Sequence, residues 1–144
     1  MPIQPQSILI ARSAVRDLLY AESTNAARTM KRQDGVSEFD EYVIDSQADS
    51  SLDGAWNEAT SKLAEKLNEF TTSTELTTSS ATYTFSNPTI PNGAGLNARM
   101  YVVDYMMADW LGHVRPDYRQ QYVDRANIEL DDLLRKLYKK EPPV

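Results

Sequence analysis

LNARMYVVDYMMADWLGHV (Leu96–Val114) and DYRQQYVDRANIELDDLLRKLY (Asp117–Tyr138), parted by Arg115-Pro116, decide how this chain folds. In the first stretch Leu96, Met100, Val103, Met107, Trp110 and Val114 recur three or four residues apart. In the second Tyr122, Ala126, Leu130, Leu133 and Leu137 do the same. Steps of three and four keep side chains on one face of an α-helix, so both stretches are predicted to be helices with one face toward a core. Pro116, which has no N–H to donate, ends the first, and Asp117 stands at the start of the second. The first also carries Tyr101, Val102, Tyr105 and Met106, which makes it apolar on most of its circumference. Such a helix is either central in its own bundle or covered by a partner. An amphipathic ring suits a contact that is partly wet, so Tyr101, Tyr105 and Trp110 are candidate interface residues.

Upstream of these helices the chain changes character. Residues 71–90 are dominated by threonine, with Tyr83 and Phe85 alternating. Threonine and aromatic residues fit a pleated surface, and Ser79-Ser80 separates two such runs, so a β-hairpin of about 70–78 and 82–87 is expected, closed by Asn87-Pro88. An isolated hairpin is marginal in water and needs a neighbour. Asn92-Gly93 forms a loop that launches the Leu96 helix. Before the hairpin, Leu52, Trp56, Ala59, Leu63, Leu67 and Phe70 again step by three and four. They predict a helix of roughly twenty residues, capped within Asp49–Ser51, with Asp53 at the positive end of its dipole.

The N-terminal half is less regular. Pro2 and Pro5 make residues 1–6 an extended arm. Ser7 can cap a helix running to about Met30, with Leu9, Val15, Leu18, Leu19, Ala26 and Ala27 inward and Arg12, Arg16, Asp17 and Glu22 outward; Ser23-Thr24-Asn25 can break it early. Asp34-Gly35 is a turn. Residues 36–48, with Phe39, Tyr42, Val43 and Ile44 in an acidic setting, read as a short helix or an irregular segment. The expected fold is thus mainly α: one helical domain over 1–144, with about four helices, a small Thr-rich hairpin inserted before the last two, and a short C-terminal tail at 141–144.

Composition limits the chemistry. A 41% apolar, 25% charged chain of 144 residues has the make-up of one soluble domain able to bury a core. No run approaches the ~18 apolar residues of a membrane span, and Ile8-Leu9-Ile10 is too short for a signal-peptide core, so synthesis in the cytoplasm is expected. The absence of cysteine excludes disulfides, thiolate metal sites and cysteine nucleophiles. The net charge of −6 is uneven: +2 over residues 1–35, −7 over 36–70 and −1 over 71–144. An acidic middle argues against tight binding to nucleic acid.

The single histidine, His113, has Asp109 one turn before it, but no nucleophile or second acid stands near in sequence; a helix-terminal cation is the plainer reading. One histidine and no cysteine leave no transition-metal set. Asp45 to Asp53 alternates oxygen donors as a calcium loop does, yet Ser50 stands where that loop needs glycine and Trp56 where it needs glutamate. Asn92-Gly93-Ala94-Gly95 precedes a helix but lacks the lysine of a phosphate loop. No catalytic, cofactor or metal residue is expected, and the basic end Arg135 to Lys140 suits a helix C-terminus.

In the order helix, helix, hairpin, then two helices, the chain resembles head–tail connector (adaptor) proteins of tailed bacteriophages. The segments DYMMADWLGHV (Asp104–Val114) and YVDRANIELDDLLRKLY (Tyr122–Tyr138) are similar to small virion proteins of phages and prophages of Bacteroides-type hosts, and the Trp56 helix shares their aromatic, Ala and Leu pattern. The resemblance implies a non-enzymatic ring subunit, often twelvefold, at the virion neck. Its partners would be copies of itself, the portal protein, and a tail or second connector protein, with DNA passing through the ring without sequence-specific binding. It implies that the hairpin, with Tyr83 and Phe85, reaches a neighbour by strand addition, and that Glu38, Asp40, Glu41 and Asp45 face the channel. A tail-completion or terminator protein, and a small helical protein-binding regulator, are the alternatives.

Overall fold

The computed structural model describes residues 6–29, 52–86, 90, 93–114 and 116–139. In chain order they form β1 (Ser7–Ala11), α1 (Arg12–Thr29), α2 (Asp53–Leu67), β2 (Thr71–Leu76), β3 (Ser80–Phe85), α3 (Ala94–Val114), a 3-10 turn (Pro116–Tyr118) and α4 (Arg119–Lys139). The fold is mainly helical, as the spacings predict, with a three-stranded antiparallel sheet in the order β1-β3-β2.

That third strand corrects the expectation for the N-terminus. Ser7 does not cap a helix; Ser7–Ala11 is a strand and α1 begins only at Arg12. Ile8 and Ile10 are buried while Leu9 is 64% exposed, so the period is two and Leu9 is not a core residue. Two β-branched side chains flanking Leu9 favour the pleat, and β3 offers them a partner: Ile8 lies opposite Tyr83 and Ile10 opposite Ala81. The strand is tied at both ends, where Phe85 N–H donates to Gln6 O and Arg12 N–H to Ser79 O, each at 2.9 Å. One face of the sheet, Ile8, Ile10, Ala81, Tyr83 and Phe85, is buried against the helices. Alternation sets the expected outcome of two substitutions. Ile10→Lys should cost more than ~3 kcal/mol in chemical denaturation, because it buries an unpaired charge. Leu9→Lys, one residue away, should stay within ~0.5 kcal/mol.

α3 is the central helix, which answers the choice its sequence leaves open. It packs against α1, α2, α4 and β1. Tyr101, Val102, Val103, Met106, Met107, Ala108 and Leu111 are all buried along it. Leu96, assigned to its core face by spacing, is instead 54% exposed, while its neighbours Asn97 and Ala98 turn inward. α4 follows its sequence pattern closely: Tyr122, Ala126, Leu130, Leu133 and Leu137 are all buried. α2 has fifteen residues rather than twenty, because Leu52 and Phe70 are buried just beyond its ends. Leu52 occupies its N-cap position and supplies no side-chain cap; Asp49 to Ser51 lie outside the described residues. α1 passes through Ser23 unbroken, since the buried Ser23 hydroxyl donates back to Tyr20 O at 3.1 Å.

Gly93 launches α3. Its φ of +86° is a region that side chains avoid, and a Cβ there would stand 2.9 Å from Lys136 Nζ. The arm at 1–5, the acidic segment 36–48, most of the Asp45–Asp53 stretch and the tail 141–144 lie outside the described residues.

Candidate interaction surface

Three helices meet at a small opening. On α3, Tyr101, Tyr105 and Ala108 stand one turn apart, and on α4 Arg119, Val123 and Ala126 do the same, so each helix presents one stripe to the gap. Glu58 of α2 closes the third side. The small side chains of Ala108 and Ala126 leave room for a cavity of about 190 Å³, with Asp109 and Arg119 at its wall.

The rings are held in place. Tyr105 OH donates to Glu58 Oε1 at 2.5 Å, which ties α3 to α2. The Tyr101 and Tyr105 rings sit 5.9 Å apart, tilted at 51°, within the range of favourable aromatic pairs. Burial pushes both phenol pKa values up, and for Tyr105 the hydrogen bond to Glu58 adds to the effect. The phenols therefore stay protonated and act as donors rather than bases. With one apolar floor, two carboxylates and one guanidinium, the opening suits an amphipathic side chain from another protein.

Of the candidate interface residues, only Tyr105 and Trp110 are half-buried at the surface of α3. Tyr101 is 5% exposed and lines the opening from the core. Tyr83 and Phe85 are corrected outright: both belong to the buried face of the sheet, and Tyr83 OH donates to Thr60 O of α2 at 2.7 Å. Alternation in β3 turns them toward the chain's own helices, leaving Thr82 and Thr84 on the outer face. Glu38, Asp40, Glu41 and Asp45 lie outside the described residues. The side chain of His113 does too, so its pairing with Asp109 does not enter.

A polar seam between α1, α3 and α4 escapes the sequence reading. Asn97, 6% exposed, donates through Nδ2 to Glu129 Oε2 at 2.7 Å and to Asp132 Oδ2 at 3.2 Å. Lys136 Nζ donates to Asn97 Oδ1 at 2.6 Å. One heptad along α3, Asp104 is 4% exposed. Burial raises its pKa to about 6; Arg125 opposes that rise, and Glu22 and Glu129 reinforce it. Glu22 of α1 reaches Arg125 at 3.7 Å and Tyr122 OH at 3.5 Å, and the Arg125 guanidinium lies 4.7 Å from the Tyr122 ring centre. Two polar residues seven apart on an otherwise buried helix were the available signal for this seam. Glu58 and Arg119 carried none.

Among the described residues no group of three His, Cys, Asp or Glu is placed to hold a metal ion, and no helix is long and apolar enough to cross a membrane. Comparison with protein-family models, curated proteins and solved structures finds no match.

Proposed function

We propose that this chain is a structural assembly subunit without catalytic activity, and within that class a head–tail connector ring subunit of a tailed bacteriophage or prophage. The observation that carries the reading is the opening at Tyr105, Glu58 and Arg119. It is an aromatic, partly wet surface at the meeting of three helices that bury most of their other apolar side chains in the core. Proteins that join neighbours through such surfaces do so with polar-rimmed contacts. The narrower assignment is supported by the likeness of Asp104–Val114 and Tyr122–Tyr138 to small virion proteins and by the order of elements. In this reading the partners are copies of the chain in a closed ring, the portal protein on one side and a tail or second connector protein on the other. DNA passes through without sequence-specific contacts, no cofactor takes part, and the site of action is the virion neck. Ring closure requires head-to-tail contacts in which two different patches meet.

The test is native mass measurement and electron microscopy of the full chain, alone and mixed with the portal protein of the same phage or prophage. The expected result is a ring on the portal, lost in Tyr105→Arg, which exchanges the aromatic ring at the opening for a long cation beside Glu58 and Arg119; circular dichroism checks that the variant keeps its helical content. A chain that stays monomeric and ignores portal overturns the connector reading. Capture of a single partner helix in the same opening would support the regulator alternative.

A further inference from the structure

The opening between α2, α3 and α4 carries three marks of its occupant. The first is size. Its cavity of about 190 Å³ is below the ~300 Å³ at which pockets for whole ligands begin, and has room for one long side chain. The second is Tyr101. It lines the cavity at 5% exposure, and among the described residues its hydroxyl makes no hydrogen bond. A buried polar tip without a partner is costly until something reaches it. The third is charge. Both phenols are pushed up first by burial and then by negative charge: Glu58 and Glu65 act on Tyr101, and the hydrogen bond to Glu58 with the charges of Glu58 and Asp109 acts on Tyr105. Glu58 and Asp109 stand in the wall itself. Arg119, the cation among the lining residues, is drawn along Gly112, where a Cβ would stand 3.1 Å from its Cδ and 3.4 Å from its Nε. The space before the two rings is therefore negative, above a floor of Ala108, Val123 and Ala126.

We propose that this opening is a socket for an arginine side chain presented by the neighbouring protein. The inference rests on the reading of the opening as an assembly surface and gives that surface its chemistry. Arginine buries its apolar stem and keeps its head near water, so the stem lies on Ala108, Val123 and Ala126. The guanidinium covers the face of Tyr105 and donates to the Glu58 carboxylate and to the Tyr101 hydroxyl oxygen. A planar fork can serve two acceptors while its face meets a ring; the compact ammonium of lysine cannot do both. A carboxylate in the same place would meet like charge, and a neutral side chain would leave the charge of Glu58 unanswered. Tyr105→Arg fits the same account, because the introduced cation fills the socket from within the chain and leaves no room for the partner's.

The test titrates the full chain with N-acetyl-arginine amide and follows its nuclear magnetic resonance spectrum. Saturable shifts should appear at the methyl groups of Ala108, Val123 and Ala126 and at the rings of Tyr101 and Tyr105, with a dissociation constant on the order of 1–10 mM for so small a probe. N-acetyl-citrulline amide, nearly the same shape without the charge, should bind at least ~5-fold more weakly. Glu58→Gln alters an exposed site whose amide oxygen can still accept the Tyr105 hydroxyl. It should bring the arginine probe down to the citrulline level. Equal affinities for the two probes on the wild-type chain, shifts that fall elsewhere on the surface, no saturation below ~100 mM, or an arginine affinity untouched by Glu58→Gln would each overturn the proposal. No readout involves portal. A ring on portal from a chain that does not prefer arginine sinks the socket alone, and an arginine-selective chain that ignores portal sinks the connector reading alone.

Discussion

Trp56→Ala should lower the unfolding free energy by ~4 kcal/mol, the largest single loss expected in this fold. Trp56 is fully buried, near the start of α2, and three structural units converge on it. Its Nε1–H donates to Thr77 O at 2.8 Å, fastening α2 to the β2–β3 turn. The Arg12 guanidinium lies 6.0 Å from the ring centre. Arg12 also pairs with Asp53 at 2.5 Å and donates to Thr78 O at 3.2 Å, which brings the β1–α1 junction to the same point. Truncation removes the filling of that junction and leaves a cavity that helix, turn and strand cannot all collapse into. Against a typical total of ~5–15 kcal/mol, such a loss is severe, and at ~3 °C per kcal/mol it should lower the melting temperature by roughly 10 °C or more. Trp56→Phe separates the two contributions. It keeps most of the ring volume, forfeits the hydrogen bond to a turn carbonyl that water can reach, and should cost only ~1–2 kcal/mol. Urea denaturation followed by far-ultraviolet circular dichroism measures both. A loss below ~1 kcal/mol for Trp56→Ala would mean that α2 and the hairpin are not packed as described.

The same junction shows what the amino-acid order reveals and what it withholds. Trp56 is legible because it belongs to a stripe, from Leu52 to Phe70, buried on one side only, and phase is readable when just one face is apolar. α4 is legible for the same reason. α3 is legible as a helix but not in phase: with most of its circumference buried, many three-and-four ladders fit, and the one through Leu96 is wrong where Ala98 and Asn97 face inward. β1 is lost for a different reason. Ile8-Leu9-Ile10 is a contiguous apolar triplet with no period of its own, and the strand that assigns its faces lies more than seventy residues away. Tyr83 and Phe85 announce a strand by alternation, yet which face meets the core depends on helices distant in sequence, α2 with Thr60 among them, so the interface role expected of them does not hold. The opening at Tyr105 is assembled from α2, α3 and α4. Tyr105 stands out locally, while Glu58 and Arg119 look like ordinary surface charges until the three helices are placed together. Asn97 and Asp104, two polar residues in a mostly apolar helix, pass unread because their burial depends on α1 and α4, and the meaning of Asp104 is thermodynamic.

Asp104→Asn should stabilise the protein at pH 7 by ~1–2 kcal/mol and leave it unchanged below pH ~4. The sign follows from the carboxyl's surroundings. Burial, with Glu22 and Glu129 nearby, raises the folded-state pKa of Asp104 to about 6 from the ordinary 3.8, despite the opposing pull of Arg125. Between those two values the folded chain keeps a proton that the unfolded chain has released. Its stability therefore falls as pH rises through roughly 4 to 6, and the penalty is constant above that window. The amide of Asn has no charge to desolvate, so the wild-type and variant curves should converge at the acid end and part toward neutrality. Arg125→Met supplies the opposite arm. Removing Arg125, the cation among the described residues that lowers the Asp104 pKa, should push the carboxyl higher and deepen the loss at pH 7, because the pull that offsets Glu22 and Glu129 is then lost. Lys136, anchored to Asn97 a heptad away, is untouched by either change. Denaturation midpoints at half-unit steps from pH 3.5 to 8 read the effect, and a wild-type curve that rises steadily through pH 4–6 in parallel with that of Asp104→Asn would show that Asp104 ionises without penalty and that α4 docks on α3 without strain from it.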